Sequence, residues 1–155
     1  MDVTAQARAL IEPVPAHSTA GIKILLAADG IAEVAMITPP ELHNVIGSLH
    51  SSGLTALADA AGLAAILAAS RTERDLDGLL PLGVTATMRF LAPARGRLLA
   101  RCHLSERARQ ELSQLLSGHS DRARIATVAS ITDESGALVC EGTFEWSIRR
   151  IPARA

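Results

Sequence analysis

Period-two alternation governs the last third of the chain. In "ALVCEGTFEWSI", residues 137–148, Leu138, Cys140, Phe144, Trp146 and Ile148 alternate with Val139, Glu141, Thr143, Glu145 and Ser147. That pattern predicts a strand with the first set on its buried face. "RIATVASIT" (124–132) reads as its partner, joined through the turn signal "DESG". Two more strands precede it. In "VTATMRFLA" (84–92), Val84, Ala86, Met88 and Phe90 share one face, and Thr85, Thr87 and Arg89 the other. "GRLLARCHL" (96–104) follows a "PARG" turn. Near the start, "IKILLAA" (22–28) and "IAEVAMIT" (31–38) flank Asp29-Gly30, a hairpin signal, and Pro39-Pro40 end the second of them.

The helical signals are of three kinds. Residues 4–11 predict a short helix closed by the prolines of "EPVP". From 105, "SERARQELSQLLSG" has a capping Ser105, a stripe of Leu112, Leu115 and Leu116, and a stop at Gly118. Between the two strand pairs, Gly53–Ala69 is almost all Ala, Leu and Gly, with Ser51 and Ser52 as N-cap candidates and an end near Ser70. A helix apolar all round must be covered all round. Small residues (Ala56, Ala58, Ala60, Ala61, Gly62, Ala64, Ala65) let strand backbones come close to it. The expectation is an α+β fold, an antiparallel sheet wrapped around a long central helix. A single domain spans 1–155, with residues 1–20 as an N-terminal extension and 105–119 as a helical insertion.

That apolar helix is not a membrane span. It holds Asp59 near its middle, which costs roughly 3 kcal/mol on an insertion scale, and its Ala and Gly gain little from lipid. With 15 Lys and Arg against 16 Asp and Glu, and only Phe90, Phe144 and Trp146 as aromatics, no footprint for nucleic acid exists. Cys102 and Cys140 fall in strand-like runs and read as buried thiols of a reducing compartment, here the cytoplasm. No CxxC or HExxH is present, so no metal site is written locally, and no cofactor is called for.

The candidate chemistry lies in "HNVIGSLHSSGLTALAD", residues 43–59. Asn44 stands six residues before His50, and Asp59 nine after it, in "LTALAD". With the layout above, this spacing resembles the hotdog fold, and more narrowly the PaaI-like acyl-CoA thioesterases, whose pattern runs N or Q, then HGG, then LAD or LAE. "FLAPARG" is similar to that family's F-x-x-P-x-x-G turn. The insertion after residue 105 is similar to the branch related to the YiiD C-terminal domain. The resemblance covers roughly residues 20–149. It implies an acyl-CoA or acyl-carrier thioester as substrate, with Asp59 as nucleophile or general base and the N–H of Ser51 polarising the carbonyl. Asn44 would be a second polariser, and His50 would orient the loop or the thioester. It also implies a homodimer or dimer of dimers in which Asp59 of one subunit meets the helix N-terminus of another. Physical chemistry agrees on one point: eight residues of helix separate Ser51 from Asp59, about 12 Å at 1.5 Å per residue.

"HSSG" departs from the family's "HGG", which replaces two permissive glycines by hydroxyl residues. Ser52, Gly53, Thr55 and Leu63 are the substrate-binding candidates beside the catalytic group. Arg89 leads a set (Arg89, Arg95, Arg97, Arg101) that either meets coenzyme A phosphates or lies solvated at strand ends. Leu63, Ile66, Leu67, Leu80 and Leu82 make an apolar pocket wall. Each candidate has a plainer role: Asp59 satisfied by Thr55 or backbone, Asn44 fixing a turn, His50 a loop histidine. His17, His43, His103 and His119 read as scattered structural histidines. The alternative to hydrolysis is a non-catalytic protein that binds acyl thioesters or another apolar ligand.

Overall fold

The computed structural model describes residues 1–152. Two helices, α1 (Val3–Ile11) and α2 (Pro15–Ala20), precede the hairpin β1 (Lys23–Ala28) and β2 (Ile31–Ile37). After a single 3-10 turn at Pro40–Leu42 comes the central helix α3 (Ser51–Leu67), then a short α4 (Glu73–Leu76). The remainder is β3 (Leu79–Phe90), β4 (Arg97–His103), α5 (Glu106–Leu116), β5 (Arg122–Thr132) and β6 (Leu138–Arg150). The strands form one antiparallel sheet in the order β1-β2-β4-β5-β6-β3. Asp29 (φ 50°) and Gly30 (φ 71°) supply the paired positive φ values that a tight hairpin turn needs.

The sheet wraps α3 at backbone distance. A Cβ at Gly142 of β6 would lie 2.6 Å from the Cβ of Ala58, and one at Gly62 would lie 2.6 Å from Thr127 Oγ1 and 2.9 Å from Trp146 Cζ2. Leu57 and Ile66 are fully buried, each contributing about 1.5–3 kcal/mol by removal from water. Trp146 satisfies its indole N–H on Thr127 Oγ1 at 2.8 Å, so the large ring brings no orphaned donor into the core. Among the described residues no helix is long and apolar enough to cross a membrane.

The two sheet edges are treated differently. Along β1, α1 covers the outward backbone groups with side chains. Thr4 Oγ1 accepts from Ala27 N–H (3.0 Å) and donates to its carbonyl (3.2 Å). Arg8 Nε donates to the Ile24 carbonyl, and Glu12 accepts the Ile24 N–H. Along β3 no such cover exists among the described residues: the strand pairs with β6 alone and exposes Leu80, Leu82, Val84 and Phe90. An uncovered edge of 12 residues is what chains pair through.

Four local expectations are corrected. A second helix, α2, follows α1 because Pro15 sits at its first turn, where a missing N–H costs nothing. His50, not Ser51 or Ser52, is the N-cap of α3, and the helix ends at Leu67 rather than near Ser70. β3 begins at Leu79, five residues before Val84, and a bulge between Gly83 and Thr85 removes Val84 from the face shared by Ala86, Met88 and Phe90. In β6, Leu138 is exposed near the turn, while Val139 and Ser147 join Cys140, Phe144, Trp146 and Ile148 as buried residues.

Gly142→Ala is expected to lower the urea midpoint of unfolding by the equivalent of about 1–3 kcal/mol, because the new methyl meets the anchored Cβ of Ala58. Equilibrium denaturation read by tryptophan fluorescence checks this, and an unchanged midpoint would mean the helix can move off the sheet freely.

Candidate functional site

The sheet leaves one strip of α3 open. Ser52, Thr55, Ala56, Asp59 and Leu63 recur at helical spacing and are the partly or fully exposed positions of this helix beyond its first residue. Asp59 lies in the middle of the strip with 30% of its side chain accessible.

Its partner is His17, 42 residues earlier in the chain. Nε2 of His17 lies 2.8 Å from Asp59 Oδ2, and Nδ1 lies 2.9 Å from the carbonyl oxygen of Ile11, at the end of α1. The imidazole is almost wholly buried, 3% exposed. From sequence His17 reads as a scattered structural histidine; what pairs it with Asp59 is the packing of α2 on α3, which no local pattern encodes. Thr55, the expected local partner of Asp59, donates instead to the Ser51 carbonyl (2.8 Å). Burial opposes charge on His17, but the hydrogen bond to Asp59, that to Ile11 and the carboxylate charge together raise its pKa above the usual 6.5.

The N-terminus of α3 is built by His50. Its Nδ1 accepts the Ser52 N–H (3.1 Å) and faces Ser52 Oγ (2.8 Å). A backbone N–H only donates, so Nδ1 is the bare nitrogen and the neutral ring carries its proton on Nε2, toward solvent. The N–H groups of Gly53 and Leu54 go to the His50 carbonyl. Among the described residues, the Ser51 N–H has no acceptor, which leaves one exposed donor at the positive end of a 17-residue helix.

Asn44 closes its own loop. Its Oδ1 accepts from Ile46 N–H (3.1 Å) and Ser48 N–H (3.0 Å), and Nδ2 donates to Ser48 Oγ (2.8 Å). One amide hydrogen stays uncommitted among the described residues. The loop is tied to the helix start by the His43–Leu49 bridge and by the His50 N–H on the Leu42 carbonyl.

The remaining candidates divide by face. Gly53 is buried under Leu49, whose Cδ1 would lie 2.5 Å from any Cβ there, and is sealed off from a ligand. Leu63 is half-buried on the open strip, but Ile66 and Leu67 belong to the core. Leu80 and Leu82 pair with Arg149 and Ser147, on the sheet face turned away from α3, so the expected apolar wall is not assembled. Arg89 is on that outer face too: it pairs with Glu141 across the strands, 3.7 Å away, while its neighbour Met88 lies beside Gly142 and α3.

Other chemistry is scarce. Burial pushes the Cys102 thiol up to about 12, and burial with the Glu141 charge pushes Cys140 up to about 11, so neither is an available nucleophile. No cluster of three or more metal-binding side chains occurs among the described residues. Two cavities, of about 340 Å³ (Arg107, Arg124, Trp146) and 560 Å³ (Ser70, Arg71, Arg109), lie around α5 and hold none of Asp59, His50, Ser51 or Asn44. The Asp59 strip lies outside both cavities.

The pair ties pH to stability. The folded pKa of His17 is raised above its unfolded 6.5, so the native state binds more protons between the two values. The stabilisation is complete below pH 6.5 and is lost as pH rises through the folded value. Urea midpoints measured upward from that pH are expected to fall in the native chain and to fall less in Asp59→Asn. Parallel slopes would show that the pair does not take up a proton on folding.

The family described as Domain of unknown function (DUF4442) matches residues 4–148. No curated protein matches the chain. Among solved structures, a Pseudomonas aeruginosa protein of unknown function, described as a probable thioesterase, is 27% identical with a TM-score of 0.77, covering 96% of each chain. The Escherichia coli PaaI protein from the phenylacetic acid degradation operon is 20% identical with a TM-score of 0.71, over 98% of this chain and 95% of that one. A Silicibacter pomeroyi thioesterase family protein is 18% identical with a TM-score of 0.74, over 96% and 99%. The wrapped sheet, the central helix and these matches together make the chain a member of the DUF4442 family, with the fold of the hotdog thioesterase superfamily.

Proposed function

We propose that the protein hydrolyses the thioester of an acyl-CoA or acyl-carrier substrate, with Asp59 as the catalytic carboxylate. The observation that carries this reading is a half-exposed carboxylate on the open strip of α3, held from behind by a buried imidazole. Asp59 takes a proton from water as the water oxygen bonds to the thioester carbonyl carbon. The charge that develops on the carbonyl oxygen is received by the Ser51 N–H, with the α3 dipole behind it. The remaining amide hydrogen of Asn44 and the Nε2–H of His50 are the other donors at that end. On collapse the C–S bond breaks, the thiolate takes the proton from Asp59, and carboxylic acid and thiol leave. Water and thioester are consumed, and the carboxylate is regenerated.

Asp59 and Ser51 of one helix are about 12 Å apart, so no single chain places both on one carbonyl. The reading therefore includes a homodimer, or a dimer of dimers, formed through the uncovered β3 edge. Ser52, Thr55 and Leu63 line the groove between the two helices. With Arg89 paired on the outer face, it is the weakest of the substrate contacts. Two buried free thiols fit a cytoplasmic setting.

A second reading has its own support. The hydroxyl of Ser52 and its N–H are both taken up by His50 where the family pattern has glycine, which leaves fewer free donors for an oxyanion. A protein that binds acyl thioesters without turnover would look the same in the rest of the groove.

Thiol release from short, medium, long and aryl acyl-CoAs separates these. The native chain is expected to turn over at least one class, and a folded Asp59→Ala to lose about 10²-fold or more in kcat. Equal rates would remove Asp59 from the mechanism, and binding without turnover would establish the second reading. Sedimentation of the native chain should give at least a dimer, and Thr87→Pro on the β3 edge should shift it toward monomer with loss of turnover; an active monomer would overturn the shared site.

A further inference from the structure

We propose that His17 is a positioning residue for this hydrolysis: it fixes Oδ2 of Asp59, leaves Oδ1 to act on water, and so makes the N-terminal helix pair part of the active site. The inference rests on the thioesterase reading above.

The hydrogen bonds determine where the protons lie. The Ile11 carbonyl oxygen only accepts, so His17 Nδ1 carries a hydrogen. The other ring nitrogen then faces a carboxylate oxygen at 2.8 Å. Two bare lone pairs at that distance repel, so one proton lies between Nε2 and Oδ2. It belongs to an imidazolium beside a carboxylate or, equivalently for the pair, to a carboxylic acid beside a neutral ring. No other side-chain bond to Asp59 is made by the described residues, so Oδ1 has no partner there, and 30% of the side chain is accessible.

A pair that only fastened α2 to α3 would be expected to be sealed. This one is sealed on the histidine side alone, at 3% exposure, and open on the carboxylate side. An apolar contact would fasten the helices without the cost of dehydrating an imidazolium. The surrounding charges do not share the task. On α1, Arg8 is turned to the Ile24 carbonyl and Glu12 to the Ile24 N–H and Lys23, both on β1's side. The carboxylate that acts on His17 is Asp59, from α3.

A general base needs one oxygen oriented and the other free. A donor on Oδ2 holds the carboxylate plane. When pH passes the pKa of His17 the ring keeps a single N–H, which serves either the Ile11 carbonyl or Asp59 Oδ2 but not both, and the hold on the carboxylate loosens. A descending limb on the alkaline side of the kcat profile is the signature. Glutamine at this position can present an N–H to Oδ2 and has no proton to lose.

The test uses the full chain and its best acyl-CoA, comparing native, His17→Ala, His17→Gln and Asp59→Ala. His17→Ala is expected to lower kcat about 10- to 100-fold with KM within about threefold. His17→Gln should restore kcat to within about threefold of native at neutral pH and abolish the alkaline limb. In ¹⁵N spectra of the histidine rings, the native chain should show one imidazole protonated on both nitrogens that converts to a single tautomer in Asp59→Ala. A folded His17→Ala with native kcat, or an alkaline limb that persists in His17→Gln, overturns the positioning role while leaving the thioesterase reading intact. A native chain without turnover on any thioester overturns both. If His17→Ala does not fold, His17→Gln and the ring spectra decide.

Discussion

Everything in this fold follows from the need to cover a helix that has no polar face. α3 offers almost only Ala, Gly and Leu, so it gains burial only if strands approach to backbone distance. Gly142 opposite Ala58, and Gly62 opposite Trp146 and Thr127, make that approach possible. The same small residues fix what the sheet cannot do. Six strands curl around most of the helix and stop at β3, and the strip left open is where Asp59, Thr55 and Leu63 sit. A polar group could be carried on this helix only there, because elsewhere it would be buried against strand backbones already committed to the ladder.

The N-terminal helices complete two separate tasks in about 20 residues of chain. α1 hands its Thr4, Arg8 and Glu12 to the outward backbone groups of β1, which closes one edge of the sheet. The turn after it starts α2 at Pro15 and swings His17 inward, so its ring spans the last carbonyl of α1 and the carboxylate of α3. One bridge therefore links edge protection, helix packing and the placing of the one carboxylate on the open strip. The His50 cap has a similar double character: it ends the loop that Asn44 folds, and by consuming the Ser52 N–H it leaves the Ser51 N–H as the free donor.

What the sequence disclosed and what it withheld divide along a physical line. Short-period signals were legible: the pairing of β5 with β6, most of the alternation in β6, the Asp29-Gly30 hairpin, the Ser105 cap of α5 and the all-apolar character of α3 are local properties of the chain. The spacing of Asn44, His50 and Asp59 was legible too, because it is fixed by one loop and one helix. Contacts across long separations were not. His17 and Asp59 lie 42 residues apart, and nothing in "PAHSTA" marks its histidine as different from His103 or His119, which stay exposed. The prolines of "EPVP" carry both meanings, a stop for α1 and a start for α2, and a helix of six residues has too little periodicity to decide between them. Arg89 looked available because alternation gives a face but not its occupant; Glu141 across the ladder is that occupant.

The two sheet edges differ in what they leave unpaired. The chain covers β1 with its own helix, yet among the described residues it leaves 12 residues of β3 uncovered, with leucines and a phenylalanine exposed along them. Met88 of that strand lies beside Gly142, which approaches Ala58, the residue before Asp59 on α3. In the proposed dimer, a two-fold axis through such an edge would turn each strip toward its copy. The 12 Å between Asp59 and Ser51, prohibitive within one helix, then becomes a separation that a second helix can close. In that arrangement the donor and the carboxylate would be supplied by different chains. Catalytic geometry would then depend on assembly in the same way that the core depends on the wrap: both are close approaches that only small residues and a free edge permit.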